Sequence, residues 1–368
     1  MTDSRKIIHV SAYYPPSLGG LEKVVEYLAV EQARTGSTVE VVTSNVGYKN
    51  EYEDVKIKGF TVSRLFGKKI ANLPIIPALF FRLLLQPGKS LFHCHVAQAF
   101  IPEITLLAAR LRQSKFIIHF HVDAAPSGAF GFLFALYKRL LFPVTLRNAD
   151  AIIVFSENHA SLVMNKYGIA RERIHIVPNG VASEFFYDQL RQLHTPTRLL
   201  FVGRLEAQKN VSMLVDSLAH VESEVSATLV GNGDKQPELS AQIKKLNLNN
   251  VDFAGRKNGN ELLAVYRNAD IFVLTSDREG MPLVLLEAMA MGLPIVATDV
   301  EGTHDVVKQS ETGILVPLGD TKAFASALDT LIKNPERYQT MSKTTRRAAD
   351  EYSWEKVAVK IRGVYATS

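Results

Sequence analysis

The chain has little of what marks several large protein classes. One cysteine, Cys94, stands among 368 residues, which excludes an intramolecular disulfide and suits a reducing compartment. Met1 to Lys6 leads into Ile7-Ile8-His9-Val10, too short an apolar core for a signal peptide. No uncharged apolar run reaches the length of a membrane span. A cytoplasmic chain is therefore expected. There is no Gly-x-Gly-x-x-Gly fingerprint and no Gly-Lys-Ser/Thr loop, so hydride transfer and nucleoside triphosphate hydrolysis lose their usual supports. A Gly-x-Ser-x-Gly elbow is also missing. So is an Asp-x-Asp pair to hold a divalent ion on a diphosphate; Asp277-Arg278-Glu279 is the nearest approach.

What is present is an ordinary globular mixture, 47% hydrophobic and 21% charged, long enough for about two domains. The net charge of +5 is unevenly spread. Residues 1–185 hold 21 basic and 14 acidic residues, the remainder 21 and 23. Between Arg64 and Arg147 the counts are 11 and 2, so an anionic partner is expected for the N-terminal half. Short apolar runs alternate with helical periodicity from Ile7 to Val177, a pattern that predicts a parallel sheet covered by helices. Pro178-Asn179-Gly180 breaks it, and a second alternating set runs from Arg198 to Val316. The expected fold is α/β, with two doubly wound, Rossmann-like domains of residues 1–182 and 183–352 facing each other across a cleft. The final helix, from residue 353, is a candidate to return to the first domain. Open parallel sheets bind ligands outside the carboxyl ends of their strands.

The stretch with most chemistry runs from Glu279 to Ala290. It sets two carboxylates eight positions apart, Glu279 in a turn and Glu287 in an apolar helix that Pro282 is expected to begin at its first position. Such a helix start beside Gly280 offers unpaired N–H groups to an anion. The bland reading makes Glu279 a solvated loop residue and Glu287 an exposed helical one. Gly203-Arg204-Leu205-Glu206-Ala207-Gln208-Lys209 brings two cations to the end of a strand, suited to a diphosphate or merely to a solvated loop. Gly19-Gly20 and Gly231-Asn232-Gly233 are further strand-to-helix turns. His119 and His121 share one face of a strand, and His93 and His95 share one face of another. A histidine that hydrogen-bonds a ligand is favoured over zinc, and a strand-end histidine packed under a loop is the commoner alternative.

Two apolar segments edged with Lys and Arg, Ile70 to Leu85 and Phe130 to Arg147, read as helices that lie on an anionic membrane surface, or as core helices covering the sheet.

These residues, in this order, resemble the retaining glycosyltransferases of family 4, which have the GT-B fold. The match is carried by Gly19-Gly20, His121, Pro178-Asn179-Gly180, Gly203-Arg204 with Lys209, Glu279 to Pro294 and Thr312 to Val316, over nearly the whole chain. The resemblance implies a metal-independent hexosyltransferase with no cofactor, which takes a UDP- or GDP-sugar to a lipid-linked or membrane-associated glycan in cell-envelope polysaccharide or glycolipid synthesis. Arg204 and Lys209 would neutralise the departing diphosphate, with Gly19 and Gly20 lending backbone N–H groups. Gly280, Met281, Pro282, Leu283 and Val284 would line the same donor. Glu287 would hold the ribose, Glu279 the donor sugar's hydroxyls, and His121 the sugar near its 6-position. Phe253 to Arg256 would lie near the nucleobase. The N-terminal domain would bind the acceptor, the C-terminal domain the donor, and nucleic acid is not an expected partner. Asn210 departs from the family, which often has Gly there. The competing readings are an inactive nucleotide-sugar-binding subunit and a GT-B-fold sugar-nucleotide epimerase.

Overall fold

The computed structural model describes residues 5–16, 19–47, 54–70, 73–96, 98–121 and 131–368. It divides into two compact units, residues 1–179 with 354–368, and residues 180–353.

Among the described residues the first unit holds the strands β1 (Ile7–Val10), β2 (Val39–Ser44), β3 (Asp54–Ile57), β4 (Phe60–Leu65), β5 (Lys68–Ile70), β6 (Leu73–Ile75), β7 (Leu91–Val96), β8 (Lys115–Phe120), β9 (Ala151–Val154) and β10 (Ile174–Ile176). Eight form one sheet in the order β10-β9-β8-β7-β1-β2-β4-β3, parallel throughout except for the β3–β4 pair at one edge. The central strands are buried on both faces, as their largely apolar sequences, interrupted by His9, His93 and His95, allow. The helix Gly20–Arg34 follows β1, and its buried face is Val24, Val25, Leu28, Ala29 and Gln32. The C-terminal helix, Trp354–Thr367, belongs to this unit and packs on that first helix. Trp354 stacks on Tyr27 with ring centroids 5.5 Å apart.

The segment from Ile70 to Leu85 departs from the expected helix. β5 and β6 pair as antiparallel strands, and among the described residues of this segment only Leu79–Leu84 is helical. Pro74 and Pro77 lack the N–H that a continuous helix would need. Arg82 is also not a surface cation of the expected kind: it donates to Glu40 at 2.7 Å and to Ser63 at 2.6 Å. Glu40 is 1% exposed, and a carboxylate so buried requires such partners.

The second unit holds β11 (Thr197–Val202), β12 (Val225–Val230), β13 (Val251–Gly255), β14 (Ile271–Leu274), β15 (Ile295–Thr298) and β16 (Gly313–Val316), parallel in the order β13-β12-β11-β14-β15-β16. Its buried helix, Leu283–Ala290, is apolar nearly all round. Arg191, in the irregular stretch before β11, is 6% exposed. Its guanidinium donates to the carbonyls of Met291 at 2.9 Å, Arg267 at 2.7 Å, Ala269 at 2.9 Å and Tyr266 at 3.3 Å. These carbonyls lie at, or one or two residues beyond, the C-terminal ends of the helices Gly259–Arg267 and Leu283–Ala290, where the helix dipole welcomes a cation.

Five imidazoles are buried in or directly beyond strands of the first sheet: His9, His93, His95, His119 and His121. Burial is the main cause that lowers the pKa of each, to about 4 for His9 and about 3 for His121. Well above pH 6.5 neither the folded nor the unfolded chain protonates them, so their stabilising contribution is complete. As pH falls below 6.5 the unfolded chain takes up protons that the folded one refuses. Each such proton costs about 1.4 kcal/mol per pH unit. Urea titrations followed by Trp354 fluorescence should therefore show the first unit weakening steadily from pH 6.5 towards pH 4, and a flat midpoint over that range would contradict it. In the second unit, Arg191→Met should cost about 3 kcal/mol, because buried carbonyls lose their donors. Thermal unfolding by circular dichroism measures this, and an unchanged Tm would refute the capping role.

Candidate functional site

At the carboxyl edge of the second sheet, the loops after β11, β12, β14 and β15 meet backbone to backbone. Gly231, with φ of +139°, lies so close that a Cβ there would fall 1.8 Å from the carbonyl oxygen of Gly203. A Cβ on Gly233 would fall 2.1 Å from the Leu205 oxygen, and one on Gly302 2.2 Å from the Gly280 oxygen. Here glycine is required by space. The β13 end joins the same lattice, since the Gly231 N–H donates to the Gly255 carbonyl at 2.9 Å, which places Phe253 to Arg256 beside the Gly231 turn.

The loop after β11 continues through a 3-10 turn, Ala207–Lys209, to Asn210 in the left-handed region at φ of +41°. That conformation explains the residue: glycine adopts it freely, and asparagine is among the few others that do so readily. Asn210 also caps the helix Val211–Leu218 by accepting from the Met213 N–H at 3.3 Å. Hydrogen bonds then stitch this loop to the one after β14. The Asp277 N–H donates to the Gln208 carbonyl at 2.9 Å, the Gln208 amide to the Arg278 carbonyl at 2.8 Å, and the Asn210 amide to Asp277 Oδ1 at 2.7 Å.

The stitching brings Lys209 Nζ to 2.5 Å from Glu279 Oε1, with side chains only 17% and 7% exposed. Glu279 is thus no solvated loop residue. Gly280 and Met281 follow, and then Pro282, which stands at the N-cap with φ −72° and ψ +124°. The helix begins one residue later than expected, at Leu283, because that ψ holds Pro282 in an extended conformation outside the helical range. Leu283 and Val284 form its first turn, and Glu287 sits on the second turn, 4% exposed. The Tyr266 hydroxyl donates to Glu287 Oε2 at 2.9 Å and lies 3.3 Å from the Val284 carbonyl. Burial, reinforced by the neighbouring Glu287, holds the Tyr266 pKa well above its ordinary value, so the phenol remains a donor. Arg204 stands apart from this group. Its side chain is 65% exposed and pairs with Glu206 at 2.8 Å.

In the first unit, Gly19 is the extended N-cap of the helix Gly20–Arg34. Nothing lies within 4 Å of a Cβ built on Gly20, so the fold itself does not demand glycine there, and the backbone faces open space. His121 directly follows β8, 7% exposed, with Nε2 2.9 Å from His95 Nδ1. Its lowered pKa makes it a neutral imidazole at physiological pH.

Two histidine trios, His9-His93-His95 and His95-His119-His121, bring ligand atoms within 4.8 Å of one another. Each contains two rings from a single strand. His93 and His95 stack at 4.4 Å with planes 9° apart, and His119 and His121 at 4.3 Å with planes 22° apart. Lone pairs in such nearly parallel planes do not converge on one ion at about 2.0–2.1 Å. Arg191, Tyr266 and His9 were not singled out in the sequence. For His9 a signal existed, since it stands on the β1 position paired with His93.

A family model described as "Glycosyltransferase Family 4" matches residues 18–185, and one described as "Glycosyl transferases group 1" matches residues 183–348. An uncharacterised glycosyltransferase of Methanocaldococcus jannaschii is 26% identical over 360 residues, 98% of this chain and 97% of that protein. The phosphatidyl-myo-inositol mannosyltransferase of Mycobacterium leprae is 28% identical over 361 residues, 95% of this chain and 93% of that one. Among solved structures, a sucrose-phosphate synthase from Thermosynechococcus elongatus superposes with a TM-score of 0.77 at 22% identity, over 99% of this chain and 100% of that one. Two parallel-sheet units, glycine-lined loops at the carboxyl edge of the second and matches along nearly the whole chain agree: the chain belongs to the GT-B glycosyltransferases of the family 4 type.

Proposed function

We propose that this glycosyltransferase moves a hexose from a UDP- or GDP-sugar to a lipid-linked or membrane-associated acceptor with retention of configuration, the first unit binding the acceptor and the second the donor. The observation that carries the reading is the buried Lys209–Glu279 pair beside the start of the helix Leu283–Ala290. In this reading Lys209 and the helix start meet the diphosphate, where fixed positive charge favours the departing oxygen. Arg204, exposed and paired with Glu206, turns towards the same phosphates when donor binds. Glu287, braced by Tyr266, takes the ribose hydroxyls. Glu279 takes hydroxyls of the sugar while Lys209 keeps it in place, and His121 meets the sugar near its 6-position. Gly19 and Gly20 present backbone to the phosphates, which is what the open space over Gly20 permits.

The sugar–phosphate bond breaks, the diphosphate leaves, and the acceptor oxygen attacks the same face while its proton passes to the departing phosphate. No metal and no side-chain base enters this scheme. An inactive subunit or an epimerase has no structural observation of its own in its favour.

A lipid-bearing acceptor is supported by the helix Gly131–Leu140 and the turn after it. Phe132, Leu133, Leu136 and Leu140 are 78%, 58%, 43% and 56% exposed, at helical spacing along one face. Leu141 and Val144 extend the patch, and Lys138 and Arg139 stand on the same helix. Single exposed apolar residues are ordinary, but a contiguous patch edged by cations is not. Among the described residues no helix is long and apolar enough to cross a membrane. This helix is proposed to lie in the headgroup region of an anionic leaflet. The mannosyltransferase relative, named for a phosphoinositide, supports the same class of acceptor.

A panel of UDP-, GDP- and ADP-sugars with lipid acceptors tests the reaction; binding without turnover on any of them would indicate the inactive subunit. Lys209→Met should lower kcat about 100-fold or more, and Glu287→Gln should raise the donor KM about tenfold. Ordinary kinetics in both would remove the site assignment. The double change Lys138→Glu with Arg139→Glu should weaken sedimentation with phosphatidylglycerol vesicles at least tenfold, and undiminished binding would leave the patch without a membrane role.

A further inference from the structure

The five buried imidazoles are joined by a glutamine and a tyrosine into one unbroken chain of hydrogen bonds. His121 Nε2 lies 2.9 Å from His95 Nδ1, and His95 Nε2 lies 2.9 Å from His9 Nδ1. His9 Nε2 lies 2.7 Å from Gln32 Oε1. The Gln32 amide nitrogen donates to the Tyr365 hydroxyl at 3.1 Å. That hydroxyl lies 2.6 Å from His93 Nδ1, and His93 Nε2 lies 3.2 Å from His119 Nδ1. His119 Nε2 is buried without a partner.

The chain has a direction, and Gln32 sets it. An amide oxygen only accepts and an amide nitrogen only donates. His9 Nε2 must therefore carry a proton towards Gln32. Because burial keeps each ring neutral, His9 Nδ1 is then a bare lone pair, and His95 must donate to it through Nε2–H. The same step repeats once more, so His121 donates through Nε2–H and keeps Nδ1 bare. On the other side Tyr365 accepts from Gln32 and hands its own proton to His93 Nδ1. His93 then donates to His119, whose Nε2–H is left unpaired. A buried donor in that state costs about 1–3 kcal/mol. Turning the amide over would reverse every tautomer together, leaving a bare nitrogen at His119 and a proton on His121 Nδ1.

We propose that Gln32 and Tyr365 are positioning residues that set the tautomer of His121, so that it meets the transferred sugar through a Nδ1 lone pair as a hydrogen-bond acceptor. This rests on the reading that His121 contacts the donor sugar. The consequence is selectivity by chemical class. A hydroxyl can donate to that lone pair, whereas the carboxylate of a uronic acid would place acceptor against acceptor. The donor sugar is then a neutral hexose with a free hydroxyl at this position. Tyr365 lies near the end of the C-terminal helix, so the last turns of the chain take part in setting a residue at the end of β8.

Long-range proton–nitrogen NMR of 15N-histidine-labelled protein at pH 7.5 reads the tautomers directly, with His121→Gln assigning the signal. Wild type should show His121 as the Nε2–H form. Tyr365→Phe frees the Gln32 amide to turn and should give a mixture near one half, and Gln32→Leu should do the same. Losing half of the competent form raises the donor KM about twofold at unchanged kcat, measured with the nucleotide sugar that the panel selects. A wild-type His121 protonated on Nδ1, or a tautomer unmoved by both variants, overturns the proposal. ZnCl2 that shifts all five imidazoles would also overturn it in favour of a metal site. If the tautomers respond but His121→Gln leaves donor KM unchanged, the sugar contact fails while the coupling stands.

Discussion

The approach of Gly231 to the Gly203 carbonyl is the constraint on which the second unit's site depends. It allows the ends of β11 and β12 to sit closer than any side chain permits. The loop after β11 is then short of room on one side, and it leans on the loop after β14, where Gln208, Asn210, Asp277 and Arg278 bind one another. Lys209 reaches Glu279 as a result of that contact. Placement of the ion pair is thus a backbone property first and an attraction of charges second. Such precision matters for a transferase, because fixed donors and cations lower a barrier only where they need no rearrangement as charge develops.

Both units bury polar groups, and each solves the desolvation problem differently. Arg191 places a full charge among helix-terminal carbonyls, which supply partial negative charge and need donors in any case. Glu287 is braced by the neutral phenol of Tyr266, so its environment differs in kind from that of Glu279, whose partner is a cation. Two carboxylates in one short stretch therefore have separate surroundings. The histidines take a third route, in which rings stay neutral and satisfy one another along a chain. Neutrality avoids the cost of buried charge but couples each ring's tautomer to the next.

Much of this was legible in the sequence, for physical reasons that can be named. Strands buried on both faces read as mainly apolar runs, so β9 and β14 stand out, and so do β1, β7 and β8 despite their histidines. The Glu279–Glu287 spacing and the glycine turns are local patterns, and local patterns survive without coordinates. The β3–β4 hairpin did not stand out: its turn uses Lys58 at φ of +47° before Gly59, and lysine is a poor signal for a left-handed position. The proline-bearing segment around Pro74 read as apolar and hence helical, although its prolines oppose a helix. Arg191 gave no pattern at all, because its partners are carbonyls 75 to 100 residues away. Long-range partners of this kind are set by topology, which periodicity does not report.

The same distinction separates the two faces of His121. Its place at a strand end follows from alternation, and so does the common face that it shares with His119. Which of its nitrogens bears the proton depends instead on Gln32, from the first helix, and on Tyr365, from the last. Those residues are 333 positions apart in sequence and meet only because the C-terminal helix belongs to the first unit. A glycosyltransferase built of two sheets can vary its loops without disturbing the strands, but it cannot vary this helix as freely. Any change that moved Tyr365 would release an amide, and through two intervening rings would alter the face that His121 presents.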